Sequence, residues 1–221
     1  LCCRVLKTLV LSDVHYPFGV STISYEIIKK ENPDRVVLLG DLVVGKGEQV
    51  IERMKSFFEN YPFSLKKSVV LIGDNEYKGD KRVVDFVKRL PVLNTNPFCY
   101  RTGNMFFCHG NIEGRGALSE YLEELGKDLG LTLKPLTPLL VSLVARIRYT
   151  IPRSVHMFLG HIHYLGKVDA MRTTFCGTFS TKKVIYDLKD SLGYVVIEHP
   201  ATELINQENV TLVRINRVVA A

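Results

Sequence analysis

No run of apolar residues in this chain approaches the ~20 that a membrane-spanning helix needs, so nothing in it reads as a transmembrane segment. No cysteine pair of the CxxC type occurs either. The 221 residues hold five cysteines: Cys2, Cys3, Cys99, Cys108 and Cys176. An odd number without metal-binding spacing speaks against a disulfide framework and against a zinc ribbon. Cys108 in "MFFCHG" and Cys176 in "TTFCGT" sit in apolar settings typical of buried free thiols. They point to a reducing, cytoplasmic compartment. Low-complexity linkers and internal repeats are missing. So is a signal-peptide pattern, since "LCCRVLKTLVLSD" runs straight into a first strand. One large domain over residues 1–221 is the simplest organisation.

What is present is an ordinary globular composition with a basic balance. Hydrophobic residues make up 46% and charged residues 24%, enough apolar surface for a substantial core. The formal net charge is +6 and is unevenly spread. Residues 140–183 carry Arg146, Arg148, Arg153, Lys167, Arg172, Lys182 and Lys183 against Asp169 alone. Such a stretch suits an anionic, phosphate-bearing substrate. It also keeps nucleic acid open as a partner.

The first half alternates between the two kinds of period. Residues 7–12, "DRVVLLG" and "KKSVVLIG" read as buried strands. Between and after them, "VSTISYEIIKKEN", "GEQVIERMKSFFENY" and "DKRVVDFVKRL" read as amphipathic helices. Strand–helix repetition implies a parallel sheet with right-handed crossovers. The texture then changes. "FCYRTGNMFFCHG" reads as a hairpin of Phe98–Arg101 and Met105–Cys108. "ALSEYLEELGKDLG" reads as an amphipathic helix. "LTPLLVSLVARIRY" reads as a more apolar one, with Leu136, Leu139, Leu140, Leu143, Val144 and Ile147 at helical spacing. The strand "VHMFLG" and the β segments "KVIYDL", "GYVVIEH" and "VTLVRI" follow. The expectation is a parallel α/β half, a helical insertion over about 111–154, and a mostly antiparallel remainder.

Polar clusters recur where apolar strands stop. "LVLSDVH" ends on Asp13 and His15, "VVLLGD" on Asp41, and "VVLIGDNE" on Asp74, Asn75 and Glu76. "MFFCHG" ends on His109, and "HMFLGHIH" on His161 and His163. Each cluster alone has a plain structural explanation: a turn aspartate, a helix cap, a buried histidine. Together they are harder to dismiss, because ligands of open α/β sheets bind beyond the carboxyl ends of strands. Three aspartates and four histidines are too many donors for one tetrahedral zinc. They suit two divalent ions sharing a bridging carboxylate. His156 and His199 fall outside the clusters and read as structural.

The order of these clusters resembles that of the calcineurin-like metallophosphoesterases: D-x-H, G-D, a G-N-H/D-like element, H-G and G-H-x-H. Here it runs Asp13-x-His15, Gly40-Asp41, Gly73-Asp74-Asn75-Glu76, His109-Gly110 and Gly160-His161-x-His163, over residues 9–163. The compact size is similar to the small phosphodiesterase branch. The resemblance implies a four-layer αββα sandwich of the α/β class. It implies one metal held by Asp13, His15 and His163, a second by Asp74, His109 and His161, and Asp41 bridging them. A hydroxide between the metals would attack phosphorus. Manganese is the expected metal, with iron, zinc, nickel and magnesium as family alternatives. The sequence departs from the pattern at Asp74, where the family has Asn, with Asn75 as the rival ligand. It departs again at Asn75, where the family has its acid-donating His. Asn75 and Asp41 are the candidate catalytic residues. Asn75, Arg146 and Arg148 are the candidates for holding substrate, and His156 is the first alternative proton donor.

The expected function is therefore metal-dependent hydrolysis of a small phosphate ester, a phosphodiester above all. The alternatives are a protein-binding scaffold with a partly degenerate site, a nuclease, and a pyrophosphatase of lipid-linked substrates capped by residues 136–149. That helix also reads as an ordinary core helix, or, if its apolar side is exposed, as the surface of a homodimer.

Overall fold

A computed structural model of the chain describes residues 4–18, 20–77, 80–110, 136–181 and 186–215. The helix expected at 117–130 lies outside the described residues, as does the first half of "KVIYDL". Strands β1 (Val5–Leu11), β2 (Arg35–Leu38) and β3 (Ser68–Val70) alternate with helices α1 (Ile23–Glu31) and α2 (Glu48–Glu59). The short α3 (Asp74–Tyr77) and then α4 (Lys81–Arg89) follow. β4 (Cys99–Thr102) and β5 (Met105–Cys108) form the expected hairpin. After α5 (Thr137–Arg148) come β6 (His156–Leu159), β7 (Leu165–Val168) and β8 (Thr173–Cys176). α6 (Leu188–Ser191), β9 (Gly193–Pro200) and β10 (Val210–Arg214) complete the chain.

Among the described residues two five-stranded sheets result, in the orders β10-β9-β1-β2-β3 and β4-β5-β6-β8-β7. β1, β2 and β3 pair in parallel, as the strand–helix repeat requires. The second half is mostly antiparallel, as the sequence suggested, in the pairs β4–β5, β7–β8 and β9–β10, though not throughout. β5, β6 and β8 are parallel neighbours, and β9 returns to pair antiparallel with β1, with Val10 opposite Val195. Chain order alone could not show this, because the pairing joins residues far apart in sequence.

Three apolar clusters define the layers. Leu9, Leu11, Val36 and Leu38 pack on Ile27, Met54, Phe57 and Val87 of α1, α2 and α4. The alternate residues Val10, Val37 and Leu39 face Met105, Phe107 and Phe158 of the other sheet. On its far side that second sheet packs Phe106, Met157 and Leu159 against Val141 and Ala145 of α5. Period-2 alternation thus sends successive residues of one strand into different cores. The architecture is an α/β four-layer αββα sandwich.

α5 belongs to the outer layer, but not by the face its leucines suggest. Thr137, Val141, Ser142, Ala145 and Arg146 are buried, while Leu136, Leu143 and Ile147 are exposed. The helix seats small residues and one arginine on the sheet. No helix among the described residues is long and apolar enough to cross a membrane.

Candidate metal centre

The three aspartates leave the carboxyl ends of adjacent parallel strands: Asp13 after β1, Asp41 after β2, Asp74 after β3. His109 follows β5, and His161 and His163 follow β6, so the second sheet delivers its imidazoles to the same edge. His161 and His163 lie in the loop beyond β6 rather than on the strand. They do not share a face as alternate strand residues would. His161 turns to Asp74 and His163 to Asp13.

The backbone bends sharply to achieve this. Asp13, His15, Asp41, His161 and His163 all have left-handed φ, between 49° and 69°. Such a conformation costs a non-glycine residue on the order of 1–3 kcal/mol. It persists where surrounding contacts over-determine it, and here they do. Asp13 N–H donates to Gly40 O, and His15 N–H to Asp41 O. Asp13 O accepts from Phe179 N–H and from Thr178 Oγ1. Asp13 Oδ2 accepts from Ser12 Oγ at 2.5 Å and from His161 N–H at 3.0 Å. The loops approach so closely that a Cβ on Gly73 would collide with Asp41, and one on Gly160 with Ser12.

Three groups of donor atoms emerge among the described residues: Asp13, His15 and His163; Asp74, His109 and His161; and Asp13, Asp41 and His109. In the first, His163 Nε2 is 3.2 Å from Asp13 Oδ1 and 3.2 Å from His15 Nε2. In the second, Asp74 Oδ1 lies 3.2 Å from His109 Nε2 and 3.0 Å from His161 Nδ1. Donors bound to one cation at about 2.1 Å lie roughly 3.0–3.4 Å apart at their shared angles. Asp41 reaches toward both groups: Oδ1 is 3.5 Å from His109 Nε2, and Oδ2 is 4.0 Å from His15 Nε2.

A cation fits this donor set. Asp13 Oδ1 is fully buried and accepts no hydrogen bond. A bare buried carboxylate oxygen needs a compensating positive charge. His109 Nδ1–H donates to Leu39 O, which fixes the ring and aims Nε2 into the cluster. Burial alone would raise the Asp13 carboxyl; His109 and His163 outweigh it and hold the group well below the usual range. The same balance acts on Asp74, where burial is outweighed by hydrogen bonds from His109 and His161. On His109 burial acts downward, but Asp41 and Asp13 push the imidazole well above its ordinary value. The whole cluster favours positive charge at its centre.

Asp74 stands among the donors. Asn75 instead holds Asp41, through its backbone N–H to Oδ1 at 2.9 Å and its Nδ2 to Oδ2 at 2.5 Å. Glu76 has a role that its place in "GDNE" did not reveal. It is buried, and it accepts the backbone N–H groups of Asp41 (2.9 Å), Val43 (2.9 Å) and Gly73 (2.8 Å). One carboxylate thus staples the loop after β2 to the loop after β3. Burial, then the nearby Asp41 charge, pushes Glu76 up to about 7.

The two arginines expected to hold substrate lie elsewhere, which corrects that expectation. Arg146 is buried and donates to the carbonyls of Met171, Ile151, Pro152, Val155 and Arg172. Val155 and Arg172 directly precede β6 and β8, so this guanidinium sits at the edge opposite the ligands. Arg148 is exposed in the last turn of the same helix. His156 is also misplaced for proton donation. It starts β6, with Nε2 bonded to Thr174 Oγ1 at 2.9 Å, and Leu159 separates it from the ligand loop.

The profile of the calcineurin-like phosphoesterases matches residues 6–165. Among solved structures, a metallophosphoesterase from Sphaerobacter thermophilus superposes with a TM-score of 0.52 at 14% identity, covering 98% of this chain and 90% of that one. Yfce, a phosphoesterase from E. coli, gives 0.47 at 16% identity over 94% and 97% of the two chains. Vacuolar Protein Sorting 29 from Cryptosporidium parvum gives 0.47 at 13% over 95% and 96%. No curated protein sequence matches the chain significantly.

Proposed function

The chain belongs to the calcineurin-like phosphoesterase family, and from that membership we propose that it is a metal-dependent hydrolase of phosphate esters, acting on a small phosphodiester. The observation that carries the reading is the placement of Asp41. One of its oxygens faces His109 and the other faces His15, between two separate sets of donors. Asp13, His15 and His163 would hold one divalent ion, Asp74, His109 and His161 a second, and Asp41 would touch both. Manganese is the preferred metal. Bound there, two such ions supply Lewis acidity toward the phosphoryl oxygens and a nucleophile at neutral pH.

The chain's own residues do the rest. Glu76 fixes the Asp41 and Gly73 loops relative to one another, and Asn75 orients the Asp41 carboxylate. Asp74 is the most open of the ligands, with 47% of its side chain exposed against 0% for Asp13 and His109. The ester would therefore enter from the side of Asp74 and Asn75. With Asn75 in the position of a proton donor, no ionisable acid stands there to protonate the leaving oxygen.

The test joins metal analysis of the purified chain to a hydrolysis panel of phosphomonoesters, phosphodiesters and pyrophosphates. Two equivalents of metal and turnover of an aryl phosphodiester are expected. A chain that retains no metal and cleaves nothing would instead be a scaffold.

A further inference from the structure

At the opposite edge of the first sheet lies a groove of about 310 Å³. Leu6 and Thr8 of β1 and His199 of β9 line it, at register positions that continue the inner face of Val10 and Ile197. Arg35, at the start of β2, continues the inner face of Val37 in the same way. The second sheet no longer covers these positions, and the apolar inter-sheet core gives way to polar side chains. Thr8 Oγ1 and His199 Nε2, both on buried residues, bond each other at 2.9 Å. The volume falls at the lower end of the range for small-molecule sites.

The charge of the groove is one-sided. Arg4, Arg35, Lys66 and Lys67 line it with Asp34 as the one acid. Asp34 pairs with Arg4 at 2.5 Å, and Arg35 Nη2 pairs with Glu203 at 2.5 Å. The two lysines therefore leave a surplus of positive charge. Arg35 Nη1 is buried with no hydrogen-bond acceptor. A guanidinium N–H left unpaired gains an acceptor if the side chain turns toward an oxyanion in the groove, and its planar fork matches phosphate. We propose that this groove binds a small molecule bearing a phosphate group, at a site separate from the metal centre. Thr8 and Asp13 are five residues apart, so about 17 Å of strand divides the two sites. The phosphate takes the ammonium groups of Lys66 and Lys67, and the guanidinium of Arg35 once that side chain turns toward the groove. The apolar side chains of Leu6 and Leu93 border the remainder of the ligand.

The experiment follows backbone amide resonances of the full, metal-loaded chain during titration with inorganic phosphate, and separately with succinate. The amides of Thr8, Arg35, Lys67 and His199 are expected to shift saturably with phosphate. The double variant Lys66→Ala/Lys67→Ala, altered only at exposed side chains, is expected to weaken that response about tenfold or more. Its phosphoesterase rate is expected to stay unchanged, which separates this site from the metal centre. Shifts confined to residues around Asp13, Asp41, Asp74 and His109 would overturn the proposal. So would groove shifts that the double variant leaves intact, or the absence of any groove shift at millimolar phosphate. Equal or tighter binding of succinate would overturn the assignment to phosphate.

Discussion

Asn75 grips Asp41 with two hydrogen bonds, its backbone N–H on one carboxylate oxygen and its side-chain amide on the other. Asp41 is thereby fixed in the orientation that sends Oδ1 toward His109 and Oδ2 toward His15. The residue in the family's acid position thus serves as an anchor for the carboxylate between the two donor sets.

Asp41→Ala removes the side chain shared by both sets. Hydrolysis is expected to fall by more than about 100-fold, beyond the usual effect of losing a supporting partner. Metal content should drop below two equivalents. Full activity in a chelator-treated, metal-free sample would overturn the two-metal reading.

Glu76→Gln replaces one of two acceptor oxygens with a donor while three backbone N–H groups still point at the side chain. At least one buried N–H loses its acceptor, at a cost of about 1–3 kcal/mol. The expected outcome is a lowered melting temperature together with weakened metal retention, because the loops it joins carry Asp41 and Asp74. Thermal melts with and without metal separate the two effects.

The sequence made the converging donors legible and left the staple hidden, for a physical reason. Aspartate and histidine stand out directly after apolar strands, so their convergence follows from strand polarity. Glu76 acts on main-chain groups up to 35 residues away, and the backbone writes no signature into the sequence. The left-handed turns at Asp13, His15 and Asp41 were equally silent, since no glycine marks them. In the fold, the strands and helices of the first half followed from their periods. The return of β9 to β1 did not, nor did the orientation of α5, whose leucines predicted the wrong buried face.

Arg146 and Arg148 separate under mutation. Arg146→Met would leave buried carbonyls of residues such as Val155 and Pro152 without their donor, at a cost of about 1–3 kcal/mol each where water does not replace it. Denaturant unfolding should show it clearly. Arg148→Glu, on the exposed face, should leave KM within about twofold. A raised KM for every substrate in that variant would restore the arginine to the site.

His156 gives the fold an acid-side sensitivity. Burial, reinforced by Arg172, Lys167 and Arg146, lowers its imidazole to about 4. The unfolded chain then binds more protons than the folded one between pH 4 and the ordinary value of 6.5. Stability is full above the unfolded value and is lost as pH falls through that window, by up to about 3 kcal/mol. Urea unfolding of wild type and His156→Gln between pH 4 and 7.5 checks it. The variant should show a shallower decline on the acid side.

Asn75→His tests the missing acid directly. Without a proton donor, the leaving oxygen departs largely as an anion, so aryl and phosphoryl groups should be cleaved far better than alkyl groups. A positioned acid contributes ~10²–10⁴-fold and matters most for a poor leaving group. The substitution should therefore raise activity on alkyl phosphodiesters relative to aryl ones. It also removes the Nδ2 bond to Asp41 Oδ2, so the absolute rate on aryl substrates should fall while the dependence on leaving-group pKa flattens. A leaving-group series on both proteins, under conditions where chemistry limits the rate, reads the two effects apart. A flat dependence already in the wild type would mean that another group supplies the proton. That group would be sought on the open side of the cluster, beside Asp74, because His156 stands at the far end of β6.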